Sequence, residues 1–325
     1  MTTITYDLIT IGDIKLDVFI SLDDCKEKCS IVKKQLCLGF GEKIIGNVLD
    51  QQIAGSAPNV AVALARMKKK TAVVSNMGDD STYEMTLPFL RKENVATQLI
   101  RSFKHTNSAY SAVLSLQGEK TILASYIAKP YKRPNTRSKW LYISEMGSGY
   151  EDLFNSIATY VKGDHTLLAF NPGNGQIQEG AKALYNLISA THVLFVNVEE
   201  GQLIVQNKRL KVKALAQELF NLGPTEVIIT DGKNGSYGFD GTQLYYCPLF
   251  PAEKAVESTG AGDSFAAGYI GARMQGLPMQ EGLRWGSVNA AEVIQHIGPT
   301  KGLLSDTQIK TRLRKQPTFE TKILS

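Results

Sequence analysis

Two hydrophobic periodicities divide the chain into short strands and longer helices. Compact apolar runs such as 6–12 predict buried β-strands, and apolar positions three or four residues apart predict helices, as at 58–66. From residue 140 onward the two kinds of segment alternate. The predicted strands are 140–144, 166–170, 192–197 and 226–230, and the predicted helices are 150–162, 176–190 and stretches ending at 222. This alternation predicts βαβ units and a mostly parallel sheet covered by helices.

Other parts of the chain do not follow this alternation and predict short strands and hairpins. Residues 13–55 contain short alternating stretches at 36–41 and 43–46, and residues 107–116 and 120–127 predict a hairpin around Gln117–Glu119. A second hairpin at 237–247 precedes three helical segments, at 262–275, 279–296 and 305–315. Because no repeat or linker divides the chain, we predict one domain, 1–325, with a small β lid built from segments at about 14–54 and 100–130.

Composition and charge exclude several classes of protein. Hydrophobic residues make up 43% and charged residues 21% of 325, which is ordinary for a globular protein. The net charge of +5 is scattered, so we expect no nucleic-acid surface. No apolar run approaches the roughly 20 residues of a membrane helix, and the polar N-terminus is unlike a signal peptide. We therefore expect a cytoplasmic protein without membrane contact, whose cysteines, at 25, 29, 37 and 247, are free thiols.

The segment Glu257–Phe265 carries the clearest chemical signal. Gly260, Ala261 and Gly262 are small, and a helical pattern starts at once behind them. Small residues expose backbone N–H groups, and a helix N-terminus adds unpaired amides and a positive dipole end, which together suit a phosphate. Asp263 would repel that anion unless it has a task, and the natural task is to take a proton from an attacking hydroxyl. Read alone, the segment also fits a glycine turn with an exposed capping acid.

Two further clusters suit a polyhydroxylated ligand. Asp13 and Asp17 follow the first strand, where α/β proteins place ligands, and carboxylates accept hydrogen bonds from hydroxyls. Gly55, Ser56 and Asn59 stand at the start of a helix, and the Asn59 amide can donate and accept toward vicinal hydroxyls. Solvated turn acids and ordinary helix caps remain the alternative interpretations.

Two more clusters lie at strand ends and suit a metal-bound nucleotide. Asn197 and Glu200 offer an amide oxygen and a carboxylate for Mg²⁺, directly or through its waters, although they also fit a helix N-terminus. The glycine turn at Thr230, Gly232 and Gly235 allows close approach to phosphates, although it also fits an ordinary turn. P-loop, metalloprotease and nucleophile-elbow motifs are absent, and the dinucleotide fingerprint fails because Phe265 occupies its third glycine position.

In this order, the clusters resemble the ribokinase-like (phosphofructokinase-B) carbohydrate kinase family, from Gly12 to about Gly302. The most specific matches are Ser258–Asp263 followed by Ala267–Gly268, and Ala54–Ala61 with Gly78 beyond it. The resemblance implies a three-layer αβα sandwich with a central, mostly parallel sheet and a β lid. It also implies a kinase that transfers the γ-phosphoryl group of ATP to a hydroxymethyl group of a sugar.

The resemblance also implies roles for single residues. Asp263 is expected to be the general base and the Gly260–Asp263 backbone the anion hole. The other expected contacts are Asp17, Gly55, Ser56 and Asn59 for the sugar, Asn197 and Glu200 for Mg²⁺ and phosphates, and Thr230, Gly232 and Asn289 for ATP. Family members often bind a monovalent cation such as K⁺ near Glu257 and Thr259, but Glu257 stands where an Asp is usual. The stretch Asp23–Phe40, with three cysteines, is also unusual.

The acceptor is open on the sequence alone. A simple sugar needs hydrogen-bonding acids and amides, which the chain supplies. A sugar phosphate needs cations, and the lid segments carry Lys43, Lys104, Lys129 and Arg133. A nucleoside needs an aromatic shelf, for which Tyr110, Tyr126 and Phe19 are candidates. A simple sugar or a nucleoside is the preferred prediction, a catalytically silent sugar- or nucleotide-binding regulator is the alternative, and an exposed lid edge makes a homodimer plausible.

Overall fold

In the computed structural model, which describes residues 5–25, 28–33, 35–117 and 119–324, a large helix-covered sheet adjoins a smaller sheet. The strands of the large sheet are β1 (Tyr6–Ile11), β6 (Thr71–Gly78), β7 (Val95–Ala96), β8 (Ile100–Phe103), β11 (Ser138–Ile143), β12 (Leu167–Phe170), β13 (Val193–Asn197), β14 (Glu226–Thr230), β15 (Ser236–Phe239), β16 (Leu244–Cys247) and β17 (Lys322–Leu324). Pairing is parallel from β7 across to β14 and antiparallel from β14 to β17, which confirms the mostly parallel sheet.

Helices cover both faces of this sheet. They are α1 (Ser56–Arg66), α2 (Ser81–Lys92), α3 (Glu151–Gly163), α4 (Asn174–Glu179), α5 (Lys182–Ile188), α6 (Val198–Ile204), α7 (Val212–Asn221), α8 (Ala261–Arg273), α9 (Met279–Val293) and α10 (Asp306–Lys315). Alternate strand residues point to opposite faces, so Leu8 packs with α1, α8 and α9, whereas Ile9 packs with α3, α5 and α7. These two apolar clusters form the core and complete a three-layer αβα sandwich.

The smaller sheet lies within the predicted lid segments. Its strands run in the order β10 (Glu119–Ser125), β9 (Ala109–Leu116), β2 (Lys15–Ser21) and β5 (Asn47–Ala54), and a separate hairpin joins β3 (Cys29–Val32) to β4 (Gln35–Leu38). We call the four-stranded sheet the lid sheet. At the start of the predicted segment 100–130, residues 100–103 form β8, which pairs with β6 in the large sheet. The predicted strand at 43–46 is wrong, since those residues form no strand.

Helix α8 lies close to its neighbours because two of its positions are glycine. A Cβ added at Gly268 of α8 would lie 2.7 Å from the backbone oxygen of Trp285 in α9. A Cβ at Gly271 would lie 2.6 Å from the sulfur of Met67, just beyond α1. Glycine therefore allows α8 to pack closely against α9 and against the end of α1.

One cysteine prediction is wrong. Cys25 and Cys29 form a disulfide beside the lid sheet, and their Cα atoms lie 5.8 Å apart, within the range of such bridges. Cys37, which is exposed, and Cys247, which is buried, are free thiols as predicted. The bridge anchors the entrance to the β3–β4 hairpin.

Candidate active site

The starts of α1 and α8 meet at a hydrogen bond between two predicted site residues. Nδ2 of Asn59 donates to Oδ2 of Asp263 at 2.7 Å, across 204 positions of sequence. Helix α1 begins behind Gly55, whose φ of +119° disfavours other residues, and a Cβ there would lie 2.2 Å from the backbone oxygen of Asp13. Gly55, Ser56, Asn59 and Asp263 are thus brought together as the sequence predicted.

Asp263 is surrounded by protein but keeps part of its surface accessible. Burial raises the pKa of its carboxyl group, hydrogen bonds from Asn59 and Ser56 oppose that rise, and the nearby carboxylate of Glu145 adds to it. A carboxylate whose pKa is raised above its ordinary value is a stronger base than an ordinary surface aspartate.

The first turn of α8 offers backbone amides at the same place. Gly260 caps the helix with a φ of +80°, and a Cβ there would lie 2.4 Å from Cβ of Pro299. The amide of Ala261 donates to the backbone oxygen of Ser258 at 3.2 Å, so it is not a free donor, contrary to our prediction. The amides of Gly262 and Asp263 have no partner within the helix. Gly262 is exposed, with no atom within 4 Å of a Cβ built on it, so a ligand can approach there.

The two predicted acids after β1 differ in what they contact. Asp13 is 1% exposed, and its two oxygens accept hydrogen bonds from the Tyr131 hydroxyl and, at 2.8 Å, from the amide of Gly147. Its carboxylate therefore joins the loops after β1 and β11, and each of its oxygens already has a partner within the protein, so its contact with a substrate stays a prediction. Burial raises the pKa of Asp13 to about 6.

Asp17 is also buried, but it is incompletely hydrogen-bonded. Its Oδ1 has no partner among the described residues, and a hydrogen bond from Ser111 and the charge of Lys15 support the rest of the carboxylate. Burial raises its pKa to about 6, and Asp263 and Glu145 contribute to the rise. Asn59 Oδ1 is likewise buried without a partner in the described part of the chain. Two buried acceptors therefore lie beside Asp263 with capacity for a ligand's hydroxyl donors.

Sequence reasoning missed two residues of this site, Lys15 and Glu145, and named a third, Tyr126, only as a candidate for stacking a base. Nζ of Lys15 lies 2.5 Å from Oε2 of Glu145 and 4.5 Å from the ring centre of Tyr126. The Tyr126 hydroxyl donates to Oε1 of Glu145 at 2.5 Å. Lys15 could have been found because alternation on β2 places it on the same face as Asp17. Glu145 could have been found because it lies just after the carboxyl end of β11, at the same edge of the sheet where Asn197 ends β13.

Asn197 and Glu200 form a reciprocal cap at the start of α6. Asn197 Oδ1 accepts from the Glu200 amide at 2.8 Å, and the Asn197 amide donates to Oε2 of Glu200 at 2.9 Å. Burial raises the pKa of Glu200, and Glu145, Glu199 and Asp263 add to the rise, so Glu200 shares an acidic region with Asp263. Within the described ranges, no group of three or more His, Cys, Asp or Glu side chains is arranged to hold a metal ion.

The predicted ATP-binding residues divide into two groups. Thr230 ends β14 opposite Asn197, and Gly232 opens a short 3₁₀ turn with free space where a Cβ would be. Gly235 is needed by the fold instead, because a Cβ there would lie 2.3 Å from the Cys247 backbone oxygen. Asn289 is fully buried, donating to the Ser264 oxygen at 2.7 Å and accepting from the Leu304 amide at 3.0 Å. Its side chain ties α9 to α8, so we no longer assign it to ATP.

The predicted monovalent-cation residues already contact a cation. Nζ of Lys120, from β10, lies 2.9 Å from Oε1 of Glu257 and 2.9 Å from the hydroxyl of Thr259. The hydroxyl and the amide of Thr259 both donate to the same Glu257 oxygen, at 2.7 and 2.8 Å. An ammonium group of the chain itself therefore stands where we expected an ion.

Comparison with known proteins identifies the family of the chain. Residues 19–306 match the pfkB family of carbohydrate kinases. The 5-dehydro-2-deoxygluconokinase of Geobacillus kaustophilus is 24% identical over 305 residues, covering 85% of this chain and 90% of that protein. The nucleoside kinase of Methanocaldococcus jannaschii superposes with a TM-score of 0.77 at 19% identity, covering 95% and 98% of the two chains.

Arabidopsis thaliana ribokinase, solved with ribose and ATP, superposes with a TM-score of 0.78 at 18% identity, covering 96% of this chain and 99% of that one. None of the helices in the described residues is long and apolar enough to cross a membrane. The family match spans most of the chain, and the fold and the order of the motifs agree with it. The chain therefore belongs to the pfkB family of carbohydrate kinases, and it is an ATP-dependent phosphotransferase with an alcohol group as acceptor.

Proposed function

We propose that Asp263 is the general base of this phosphoryl transfer and that the acceptor lies between Asp17 and Asn59. The observation that carries the proposal is the Asn59–Asp263 hydrogen bond, flanked by two buried oxygens without partners, Asp17 Oδ1 and Asn59 Oδ1. Buried acceptors without partners are costly, so hydroxyl groups of a bound acceptor would stabilise them. The acceptor's reacting hydroxyl is then placed against the Asp263 carboxylate.

The proposed reaction uses few groups. Asp263 takes the proton of the acceptor hydroxyl as its oxygen attacks the terminal phosphorus of ATP, the bond from phosphorus to the bridging oxygen of ADP breaks, and ADP leaves. The free amides of Gly262 and Asp263 donate to the oxygens of the transferred group, where negative charge is largest. The lid sheet would exclude water, which otherwise competes as the acceptor. Gly232 and Thr230 would border the nucleotide.

The residues present suit Mg²⁺ carried by the nucleotide rather than a resident metal. The carboxylate of Glu145 raises the pKa values of Glu200 and Asp263, and Asp263 also raises that of Glu200, which marks a region of excess negative charge. Mg²⁺ commonly keeps its waters and binds through one or two carboxylates together with phosphates. When bound, it would neutralise charge on the phosphates, and Glu200 would hold its waters.

The charge of the site favours a neutral acceptor. One ammonium group, that of Lys15, faces the carboxylates of Asp13, Asp17, Glu145 and Asp263, and it is already paired with Glu145. Two cations considered for a sugar phosphate have other partners. Arg133 stacks on the ring of Tyr160, 4.5 Å from its centre, and Lys129 lies 5.5 Å from that of Phe103. An anionic sugar acid or sugar phosphate would meet net repulsion here.

A nucleoside is the second candidate, and Tyr126 favours it. This side chain is 42% exposed and joins the site through its hydrogen bond to Glu145, so its ring is available for stacking by a base. Phe19, considered earlier for the same role, is buried and does not qualify. Both the simple sugar and the nucleoside are neutral, in agreement with the charge of the site.

One experiment tests the proposal and separates the alternatives. ADP release from Mg-ATP is measured across a panel of neutral sugars, nucleosides, sugar acids and sugar phosphates. We expect release with a neutral acceptor, and release only with an anionic acceptor would contradict the charge argument. Thermal stabilisation by a sugar without ADP release would instead identify a silent binding protein.

The oligomeric state and the location of the protein do not follow from the site residues. The lid sheet exposes apolar side chains, including Val48 at 57% and Leu123 at 57%, and pairing two copies across this face would cover them and the edge strands. We therefore propose a homodimer through the lid, which sedimentation measurements test directly. A cytoplasmic location stays a prediction.

A further inference from the structure

A lysine of the lid sheet contacts the turn from which the anion hole starts. Lys120 lies on β10, far from the catalytic groups in sequence, and its ammonium binds both Glu257 and Thr259 at 2.9 Å. Thr259 directly precedes Gly260, the cap of α8. The contact therefore links the position of the lid sheet to the short segment that sets the first amides of α8.

Glu257 needs this positive charge. Its side chain is 15% exposed, Oε1 accepts the Thr259 hydroxyl and amide, and Oε2 is buried without a partner among the residues that the structure describes. Removing the counter-charge would leave this largely covered carboxylate, with its buried Oε2, uncompensated, which costs more than loss of a fully exposed pair. Without Lys120 the carboxylate would turn toward water, and the 257–259 turn would move with it.

The chain offers a second contact between lid and body for comparison. Nζ of Lys301 lies 2.5 Å from Oδ2 of Asp50 on β5, and Nε2 of Gln52 donates to the Ile297 oxygen at 3.4 Å. Lys301 is 56% exposed and touches neither Glu257 nor Thr259 in the contacts described. Its pair with Asp50 holds the same sheet against the body without reaching the turn before α8.

We propose that Lys120 is a positioning residue for phosphoryl transfer. Its ammonium, delivered by the lid sheet, balances Glu257, fixes the 257–259 turn and so aligns the Gly262 and Asp263 amides. The anion hole is complete only while the lid sheet lies against the body, and the cation expected at Glu257 and Thr259 is supplied by the chain. This inference rests on the proposed function, because it assumes that the amides of α8 contact the phosphoryl group.

The test compares Lys120→Met with Lys301→Met, using the acceptor that gives ADP release in the panel. We expect Lys120→Met to lower kcat roughly 10- to 100-fold, the effect of a small misplacement of catalytic groups, with the acceptor KM little changed. Lys301→Met removes an exposed pair and should change kcat less than about fivefold. Lys120→Arg, which keeps the charge, should recover most of the lost rate. Equal effects of the two methionine variants would overturn the proposal.

A cation series gives an independent readout. Wild-type kcat should be the same in KCl, NaCl and choline chloride, whereas Lys120→Met should be stimulated by K⁺ or NH₄⁺. A wild-type enzyme that depends on K⁺ would show that Lys120 does not supply the cation, which contradicts the proposal.

Hydrogen exchange of the ligand-free proteins separates this inference from the proposed function. Amides at 257–262 should exchange faster in Lys120→Met than in wild type and Lys301→Met, whether or not any acceptor is phosphorylated. Unchanged exchange would refute the positioning role. Absence of ADP release with every acceptor would refute the proposed function and leave this readout to decide on Lys120.

Discussion

Replacing Asp17 with asparagine should stabilise the protein while weakening acceptor binding. The side chain is buried, its Oδ1 has no hydrogen-bond partner in the described residues, and Asp263 adds electrostatic repulsion. An asparagine keeps the shape, removes the charge and offers an N–H₂ group toward Asp263. We therefore predict that the ionised Asp17 lowers the stability of the protein and serves acceptor binding, a trade-off that is common at functional sites.

The size of the gain follows from the pKa of Asp17. Burial raises it from 3.8 to about 6, and two units correspond to about 3 kcal/mol. Below pH 3.8 the acid is protonated in both the folded and the unfolded state, so it costs nothing. As the pH rises toward 6, the unfolded chain releases the proton first and stability is lost. Above pH 6 the full penalty of about 3 kcal/mol applies.

Denaturant unfolding of Asp17→Asn and of the wild type, at pH 5 and at pH 8, measures this difference in the free energy of unfolding. We expect the variant to gain about 3 kcal/mol at pH 8 and about half of that at pH 5. Asp79→Asn, at an exposed position, is the control and should change stability by less than about 0.5 kcal/mol. The acceptor KM should rise roughly 10- to 100-fold with loss of a charged hydrogen bond. A less stable variant at pH 8, or an equal gain at both pH values, would refute the reasoning.

Three further predictions concern the catalytic groups. Asn59→Ala should raise the acceptor KM about tenfold and leave the KM for ATP unchanged, and a rise in the latter instead would misplace the acceptor. The pH–rate profile should fall on acidification at a pH above the ordinary aspartate range, because burial raises the pKa of Asp263, and a fall only near pH 4 would contradict this. Gly260→Ala should lower the stability by at least about 1 kcal/mol and also lower kcat, because Gly260 has a φ of +80° and an added Cβ would clash with Pro299. Thermal unfolding followed by circular dichroism measures the stability, and ADP release measures kcat.

The parallel sheet was predictable because its strands are short, buried apolar runs separated by amphipathic helices. Two elements differ from the prediction. The helix predicted at 176–190 divides because Gly180 adopts a left-handed conformation, with φ +59°, between α4 and α5. The strand β17 was missed because its exposed residues carry no burial pattern and its partner β16 lies roughly eighty positions earlier in the chain.

The site was predictable where helix starts and small residues mark it. Gly55, Asn59 and Asp263 come together because two helix N-termini meet, and each start has a sequence signal. The contacts of buried polar groups carry no such signal, since the partners of Asp13 and Asn289 lie on distant segments. Lys120 shows the same limit, because only the folded lid sheet brings it to Glu257.

The most direct test of the central claim is the kcat of Asp263→Asn, measured by ADP release with the acceptor identified in the panel. The variant keeps the hydrogen-bonding shape of the side chain but cannot take the hydroxyl proton. We predict a loss of roughly 10²- to 10⁴-fold in kcat, the range for removal of a general base, with native circular dichroism and unchanged ATP affinity. A near-normal kcat would contradict the assignment of Asp263 as the base.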